Sequence, residues 1–433
     1  MIALLGNSQE MNREMKKLVR YLDLPCLYAD LYGMTGDKAF TPWNYYAAGG
    51  PQEEGEPLFW LDLKGPSSWS FRTTNFISGQ IFEGEKLLAN VYFREPFEDQ
   101  CLDRVEWIKG GEVYARDFYD ASGFLCARAI LQMGKESLVK YYDRDGRPSV
   151  ISWPELGYVS VKRKGQEVIF ESTDALYRAF LQDLVSEQEK KAVLFYEPAL
   201  LKFLPGDTKK VLFVQDKVPE EMKERAFREA LSLMVTAVPG SEAGIRRFYD
   251  GEISPEVLEM GSLIDKGADH PAENALIVTR SQYIEQLQAL AEGLPELHFH
   301  VAAPTMMAPG LMAFDRYENV TLYPCSPPGR IADLMEKCAF YLDISHYLEY
   351  EGIVRAAIRK DLLVFAFDNT VHQRTVMPEG HIYGQEQADR MISDISRAMF
   401  DPRWLEECLE AQRKGIEMTK EQREEIRKKI LDL

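Results

Sequence analysis

A run of evenly spaced turns in the middle of the chain constrains the fold more than any other feature. Glycines punctuate this stretch about every twelve residues, at Gly110-Gly111, Gly123, Gly134 and Gly146. The segments between them are rich in Val, Tyr, Phe and Ile, and the turn Tyr-Asp-x-x-Gly occurs twice, from Tyr119 and from Tyr142. Asp and Gly supply the local hydrogen bond and the positive φ of tight hairpins. The pattern therefore predicts an antiparallel meander over 58–170.

Strand and helix patterns alternate on both sides of this meander. A buried strand at Ile2–Leu5 precedes a segment with apolar residues at helical spacing, and two wholly apolar strands are predicted at 192–196 and 211–214. From residue 274 the same alternation resumes. We predict an α/β protein with two Rossmann-like domains and an inserted sheet. The predicted domains are 1–45 with 171–271 (N-terminal Rossmann-like), 58–170 (inserted antiparallel β-sheet) and 272–433 (C-terminal Rossmann-like, with a terminal helix).

Composition excludes several classes of function. A net charge of −18 over 433 residues argues against a dominant nucleic-acid or anionic-membrane surface. The six cysteines form no C-x-x-C pair, so neither a zinc site nor a disulfide framework is expected, and we predict no metal and no cofactor. No stretch approaches the ~20 apolar residues of a membrane span. We expect a cytoplasmic protein, and peripheral docking on the inner face of the cell membrane stays open.

The predicted sheet is a single layer, and one chain cannot bury both of its faces. Aromatic residues on these strands are therefore candidates for a partner interface: Tyr92, Trp107, Tyr114, Phe118 and Tyr141. Either a helix of the same chain or a partner protein must cover them. The sequence leaves both alternatives open.

Five segments of the C-terminal half and one hairpin of the meander carry a family resemblance. They are Ala275–Thr279, Leu294–His300, Tyr317–Pro324, Cys338–His346, Phe365–His372 and Val105–Gly123. Together they resemble the accessory-Sec glycosyltransferase-stabilising proteins of the GtfB type. The resemblance covers nearly the whole chain, and it implies a GT-B-like pair of Rossmann-like domains with an inserted antiparallel β-sheet.

The resemblance also implies a function. The partner would be a homologous, catalytic glycosyltransferase that places N-acetylglucosamine, from its UDP donor, on Ser and Thr of a serine-rich repeat adhesin polypeptide. The chain itself would be a non-catalytic subunit that stabilises this transferase and helps to hold the acceptor. The β insertions of the two subunits are expected to join in a hetero-oligomer, with a two-plus-two tetramer as one expected form.

The resemblance places a donor site in the C-terminal domain, but residues that grip the donor in active relatives are replaced. Those relatives carry two glutamates eight residues apart, which contact the donor sugar and the ribose diol. Here Glu349 is followed eight residues later by Ala357, and Glu351 by Arg359. An arginine has only donors and cannot accept a hydrogen bond from a hydroxyl.

The diphosphate contacts are altered as well. Active relatives place an Arg and a Lys five residues apart after the first strand of this domain. Arg280 fits the first position, but Glu285 stands at the second, and a carboxylate repels a diphosphate. The turn after the first strand of the chain contains only Gly6, where a phosphate-binding loop would carry several glycines. The sequence thus predicts that no active UDP-sugar site is present.

Six residues near the presumed cleft are candidates for contact with the acceptor or with a residual sugar: Arg280, His346, Glu349, Glu351, His372 and Arg374. Ordinary loop contacts, or helix capping by the glutamates, are the alternatives. His298 and His300 alternate on a strand but lack a third metal ligand. Two other functions stay open: an active retaining GT-B glycosyltransferase that uses a UDP-sugar donor through Glu351, and a stand-alone sugar- or peptide-binding module.

Overall fold

A computed structural model describes residues 1–34, 38–51, 55–95, 97–163, 165–215, 217–237, 255–266, 270–350, 352–414 and 416–432. The chain forms two compact units, Met1–Glu259 with Glu424–Leu433, and Met260–Arg423. Strands β1–β22 and helices α1–α11 are numbered along the described chain. None of the described helices is both long enough and apolar enough to cross a membrane.

A six-stranded parallel sheet forms the centre of the first unit. Its strands lie in the order β16-β15-β14-β13-β1-β2. Their bounds are β1 Ile2–Leu5, β2 Leu27–Asp30, β13 Ala192–Phe195, β14 Lys209–Val214, β15 Leu233–Thr236 and β16 Glu256–Glu259. The accompanying helices are α1 Gln9–Tyr21, α2 Pro42–Ala48, α3 Thr173–Ser186 and α4 Arg225–Ala230. All residues of β1 and β13 are buried, as their wholly apolar sequences predict.

Serine hydroxyls begin the two long helices of this unit. The Ser8 hydroxyl accepts a hydrogen bond from the Met11 N–H at the start of α1. The Ser172 hydroxyl accepts a hydrogen bond from the Ala175 N–H at the start of α3. Asp174 lies inside the first turn of α3 and pairs with Lys202 at 3.1 Å.

The predicted meander is a ten-stranded antiparallel sheet in which neighbours in sequence are neighbours in space. Its strands are β3 Trp69–Asn75, β4 Ser78–Glu83, β5 Lys86–Phe93, β6 Leu102–Lys109, β7 Glu112–Tyr119, β8 Leu125–Gln132, β9 Lys135–Tyr142, β10 Pro148–Trp153, β11 Tyr158–Arg163 and β12 Gln166–Phe170. The repeated turns have the predicted chemistry: Asp120 accepts from the Ser122 and Phe124 N–H groups, and Gly123 has φ of +75°.

The two halves of this sheet bury opposite faces. Val105 pairs with Asp117, and Asp117 pairs with Arg128, so these three side chains lie on one side, here called face 1. Ala127, one residue before Arg128, lies on the other side, face 2. In the near half, β3–β7, Trp60 and its neighbours cover face 1. In the far half, β8–β12, residues of α2 and α3 cover face 2.

The far half shares its core with the first domain. The ring of Trp43 in α2 stacks on Tyr141, with ring centroids 4.6 Å apart and an interplanar angle of 5°. Leu176 of α3 is buried in the same cluster as Val150 and Val161. The inserted sheet is therefore fastened to the Rossmann-like domain by side chains that flank the insertion in sequence.

The second unit contains a parallel sheet in the order β19-β18-β17-β20-β21-β22. Its strands are β17 Asn274–Val278, β18 His298–Ala302, β19 Val320–Tyr323, β20 Phe340–Asp343, β21 Leu363–Phe367 and β22 Ile382–Tyr383. Its helices are α5 Leu287–Gly293, α6 Pro309–Met312, α7 Pro328–Met335, α8 Ile353–Arg359, α9 Ala388–Phe400 and α10 Pro402–Arg413. The predicted fold class, a pair of Rossmann-like domains with an inserted antiparallel sheet, is confirmed.

The end of the chain is helical, as its charged sequence predicts from Trp404 to Leu433 with a break or kink near Gly415. It forms two helices, α10 and α11 (Lys420–Asp432), and Gly415 itself lies outside the described residues. Residues from Glu424 group with the first unit, whereas the predicted boundary keeps them with the second. The reason is an ion pair of Lys429 with Glu256 at 2.7 Å, together with burial of Ile430.

Replacing Trp43 tests whether the stacked pair fastens the inserted sheet. Trp43→Ala removes a side chain that is 7% exposed, and we expect a loss of roughly 3–5 kcal/mol in the free energy of unfolding, measured by urea titration. Tyr114→Ala, on a strand residue that is 46% exposed, is the control and should change it by less than about 1 kcal/mol. Equal effects of the two substitutions would contradict this role of Trp43.

Candidate functional site

The predicted cleft residues follow three strands of the second unit at the point where the strand order reverses. β17 lies between β18 and β20, so consecutive connections leave it in opposite directions. In open α/β sheets, ligands bind outside the carboxyl ends of the strands at such a point. Arg280 follows β17, His346 and Glu349 follow β20, and His372 and Arg374 follow β21. Glu351 lies outside the described residues.

Glu285 joins all three of these loops. Its carboxylate pairs with His346 Nε2 at 3.0 Å and accepts from Asn369 Nδ2 at 2.7 Å. The backbone supports this arrangement, because the Glu285 N–H donates to the Ile344 carbonyl at 2.8 Å. Glu285, which the sequence analysis places where active relatives would carry a lysine, is therefore bonded to neighbouring side chains of the cleft.

A second carboxylate, Asp343, organises the loop after β21. Its side chain is 1% exposed, and it accepts from the His372 backbone N–H at 2.8 Å and from His372 Nδ1 at 2.5 Å. His372 Nε2 lies 2.7 Å from the Tyr347 carbonyl, which can only accept. Because both ring nitrogens face acceptors, the doubly protonated ring fits best. The hydrogen bond to Asp343 accordingly raises the pKa of His372 above its ordinary value.

Glu349 is bonded on both carboxylate oxygens. One accepts from the Val354 N–H in the first turn of α8 at 3.1 Å, and the other from Gln373 Nε2 at 2.6 Å. Helix capping, the predicted alternative to sugar binding, is thus what the described contacts show. Eight residues on, Ala357 is fully buried in the domain core, so that position presents nothing to the cleft.

The two arginines differ in their surroundings. The Arg280 guanidinium lies 5.0 Å from the centre of the Tyr350 ring, a cation–π contact between the loops after β17 and β20. Arg374 pairs with Glu379 at 3.2 Å, and both side chains are well exposed. The structure therefore brings Arg280, His346, Glu349 and His372 into one bonded set of loops, whereas the described partner of Arg374 lies further along its own segment.

In the first unit, the turn after β1 also has its backbone N–H groups hydrogen-bonded to side chains of the protein. The Gly6 N–H donates to Asn12 Oδ1, the Asn7 N–H to Glu197, and the Ser8 N–H to the Tyr196 hydroxyl. A Cβ on Gly6 would lie 2.4 Å from the Glu197 carboxylate. The amides that a Rossmann phosphate site offers are thus satisfied within the protein, and a carboxylate lies among them.

The two histidines of β18 form hydrogen bonds with side chains of the adjacent strand β19. His298 lies 2.7 Å from the Thr321 hydroxyl, and His300 lies 2.9 Å from the Tyr323 hydroxyl. Burial, and then the charge of His298, lower the pKa of His300 to about 4. No group of three metal-ligating side chains occurs among the described residues.

Tyr141 does not fit a partner surface. It is 4% exposed because α2 covers it through Trp43. Sequence alternation placed it on a face of the sheet but could not indicate which face a helix covers. We therefore remove Tyr141 from the predicted interface.

The other four aromatic residues do not form one patch. Tyr114 is 46% exposed, whereas the Tyr92 ring is covered by an arginine 4.4 Å from its centre. Trp107 donates its ring N–H to a buried aspartate at 2.7 Å, and Phe118 packs against the core of the far half.

Known proteins share both the fold and parts of the sequence. Residues 69–171 match the family model of the GtfB middle domain, and residues 275–412 match that of the GftB/GlyA-F C-terminal domain. A curated relative is the UDP-N-acetylglucosamine–peptide N-acetylglucosaminyltransferase stabilizing protein GtfB of Streptococcus parasanguinis, 26% identical over 82% of this chain and 83% of the relative.

Two solved structures are similar in fold across the whole chain. One is a GtfA/B complex bound to UDP and GlcNAc, with a TM-score of 0.60, 22% identity and coverage of 100% of both chains. The other is the pneumococcal O-GlcNAc transferase GtfA in complex with UDP and GlcNAc, with a TM-score of 0.60, 14% identity and coverage of 100% of this chain and 98% of that one. The fold is therefore that of a two-domain, GT-B-like glycosyltransferase.

Among proteins with this GT-B-like fold, the sequence of this chain matches one family in particular. The two matched domains and the relative of near full length confirm the predicted resemblance to the GtfB-type glycosyltransferase-stabilising proteins.

The Asp343–His372 pair predicts a pH-dependent contribution to stability. Since the folded pKa is raised, the stabilisation is complete below the ordinary histidine pKa of about 6.5 and is lost as pH rises through the folded pKa. We expect His372→Asn to lower the free energy of unfolding by ~1–3 kcal/mol at low pH, because Asp343 loses a charged partner. Urea titrations at pH 6 and pH 9 should show a smaller difference at pH 9.

Arg374→Ala is the matched control, because its ion pair with Glu379 is exposed. We expect Arg374→Ala to lower the free energy of unfolding by less than about 1 kcal/mol at either pH. An equal effect of His372→Asn at both pH values would contradict a protonated ring in the folded protein.

Proposed function

We propose that this chain is the non-catalytic subunit of a protein O-glycosylation complex. In that role it stabilises a homologous, catalytic N-acetylglucosamine transferase and binds the Ser/Thr-rich adhesin polypeptide that accepts the sugar. The name of the S. parasanguinis relative supports the stabilising role. The observation that carries the non-catalytic role is that the described carboxylates of the cleft are already bonded to neighbouring groups.

The free energy of hydrogen bonding favours the existing contacts of these carboxylates over contacts with a donor. For Glu349 to accept from a ribose or sugar hydroxyl, it would have to release the α8 amide or Gln373. Each hydrogen bond to a charged group contributes roughly 1.5–3 kcal/mol, so a hydroxyl offers little net gain. Glu285 would in addition repel a diphosphate placed beside Arg280. A donor would thus meet Glu285 and Glu349 with their carboxylates already hydrogen-bonded to neighbouring groups.

The rim of the same cleft suits an acceptor polypeptide. Tyr283 is 56% exposed, Tyr347 is 74% exposed and Leu348 is 78% exposed, and all three lie in loops at the carboxyl ends of β17 and β20. Exposed aromatic and aliphatic side chains beside Arg280 and His346 can contact an extended chain without nucleotide chemistry. We therefore assign the predicted cleft residues to the acceptor rather than to a donor.

We further propose that the protein works in the cytoplasm, where the UDP-sugar is found. Its net charge of −18 opposes direct binding to anionic lipids. Any association with the inner face of the cell membrane would then come through its partners.

Co-expression tests the stabilising role. The homologous transferase should be produced alone and together with this chain, and its soluble fraction and its glycosylation of a Ser/Thr-rich acceptor measured. We expect both to rise several-fold when this chain is present, because an exposed surface of the transferase is then covered. A transferase that is equally soluble and active alone would contradict the role.

The same preparations test the alternative of an active transferase. The isolated chain should release no UDP above background from UDP-GlcNAc or from other UDP-sugars. Turnover by the isolated chain would support a retaining GT-B enzyme instead, and would show that Glu351 needs fewer partners than active relatives use.

A further inference from the structure

One exposed tyrosine of the cleft has a backbone conformation that tyrosine disfavours. Tyr347, in the loop after β20, has a φ of +74°, in the left-handed region. Seven described residues other than glycine have a positive φ, and Tyr347 is the one aromatic residue among them. In this region the Cβ atom lies too close to the following carbonyl oxygen, which disfavours the folded state by a factor of roughly 5–30. A bulky residue there is an outlier that calls for an explanation.

Neither the turn nor the core explains why this residue is a tyrosine. Glycine adopts a positive φ without a steric cost, and the chain uses glycine in this way further along the same loop, where Gly352 has a φ of +73°. The Tyr347 side chain is 74% exposed, and it belongs to neither hydrophobic core of the second unit. The protein therefore keeps a strained residue whose ring lies in solvent.

Hydrogen bonds hold the strained residue in place. The Tyr347 carbonyl accepts from His372 Nε2 at 2.7 Å, and His372 Nδ1 is bonded to the buried Asp343 at 2.5 Å. On one side of Tyr347, the His346 N–H donates to a carbonyl of the loop after β17 at 3.1 Å, and on the other side Glu349 caps α8. Backbone strain persists only where surrounding contacts impose it, and strained residues cluster at functional sites.

We propose that Tyr347 contacts the acceptor polypeptide and that the Asp343–His372 pair holds it in the orientation for this contact. The inference rests on the proposed function and names the side chain that meets the acceptor. The loop after β20 lies where the strand order reverses, which is where ligands bind in sheets of this kind. A tyrosine ring with its hydroxyl offers a rigid surface that is apolar and polar at once, which suits an uncharged chain of Ser and Thr. His372 is then a positioning residue, because it acts through Tyr347.

Strain distinguishes Tyr347 from the other exposed side chains of the rim. Leu348 follows it directly and is 78% exposed, and Tyr283 is 56% exposed and bonded through its carbonyl to the His346 N–H. Neither Leu348 nor Tyr283 has a left-handed backbone. These two side chains can widen the contact with an extended chain, whereas only Tyr347 is held in place at a cost to stability.

Titration of a labelled synthetic Ser/Thr-rich polypeptide with the full-length chain tests the contact. Tyr347→Ala and Tyr347→Gly both remove the ring, and we expect each to weaken binding by about tenfold or more. Tyr158→Ala is the control, because it removes a tyrosine of the inserted sheet that is 45% exposed. This control should change the affinity for the polypeptide by less than about twofold.

The stability of the same variants tests the strain. Glycine at position 347 relieves the left-handed strain, whereas alanine keeps it, so Tyr347→Gly should have a folding equilibrium constant several-fold above that of Tyr347→Ala in urea titrations. Tyr283 lacks a left-handed backbone, and there the order should reverse, with Tyr283→Gly less stable than Tyr283→Ala. A purely structural Tyr347 would give a Tyr347→Gly chain that is more stable and binds the polypeptide normally.

A double-mutant cycle tests the positioning role of His372. We expect His372→Asn to weaken polypeptide binding several-fold in the unsubstituted chain, because the carbonyl of Tyr347 loses its charged partner. In the Tyr347→Gly background the same substitution should have little further effect, since the ring that it positions is absent. Equal weakening in both backgrounds would show that His372 does not act through Tyr347 and would overturn its positioning role.

The remaining outcomes separate this inference from the proposed function. Normal polypeptide binding by both Tyr347 variants would overturn the inference and leave the proposed function standing. So would a Tyr347→Gly chain that is less stable than Tyr347→Ala, because the left-handed backbone would then carry no strain. Failure of the unsubstituted chain to bind the polypeptide would overturn acceptor binding in the proposed function together with this inference.

Discussion

The buried charge of Asp343 is the constraint around which the C-terminal cleft is built. A carboxylate that is 1% exposed must have partners, and here they are the backbone and ring of His372. The ring in turn holds the Tyr347 carbonyl, so the loops after β20 and β21 are fixed together. The Glu285 carboxylate likewise connects loops, because it is hydrogen-bonded to the side chains of His346 and Asn369. A cleft of this kind is well ordered because its charges are paired, and for the same reason it has few groups left for a nucleotide sugar.

Much of the fold could be predicted because its signals are local. The Tyr-Asp-x-x-Gly turns close through contacts within a few residues, as Asp120 shows, and wholly apolar runs such as β13 indicate strands buried on both faces. The covered faces of the inserted sheet were not predictable in this way. Alternation divides a strand into two sides, but Tyr141 is buried by Trp43, almost one hundred residues earlier in the chain. The grouping of the chain end with the first unit was not predictable for a similar reason, since the paired residues Lys429 and Glu256 lie 173 positions apart in the sequence.

The candidate site, like the fold, could be predicted from the sequence only in part. Polar residues after β17, β20 and β21 were predicted to meet, because parallel strands bring their carboxyl ends to one edge. In the sequence, Glu285 and Ala357 stood out only as departures from the donor contacts that the resemblance implies. That Glu285 links three loops, and that Ala357 lies inside the core, depends on side-chain packing over 60 or more residues.

The central claim of the proposed function is that the cleft residues pair with one another and do not bind a nucleotide-sugar donor. Calorimetric titration of the isolated chain with UDP and UDP-GlcNAc tests it most directly. No saturable heat is expected up to about 1 mM ligand, which corresponds to a binding free energy weaker than about −4 kcal/mol. Saturable binding in the micromolar range, abolished by Arg280→Ala and by Glu349→Gln, would contradict the claim.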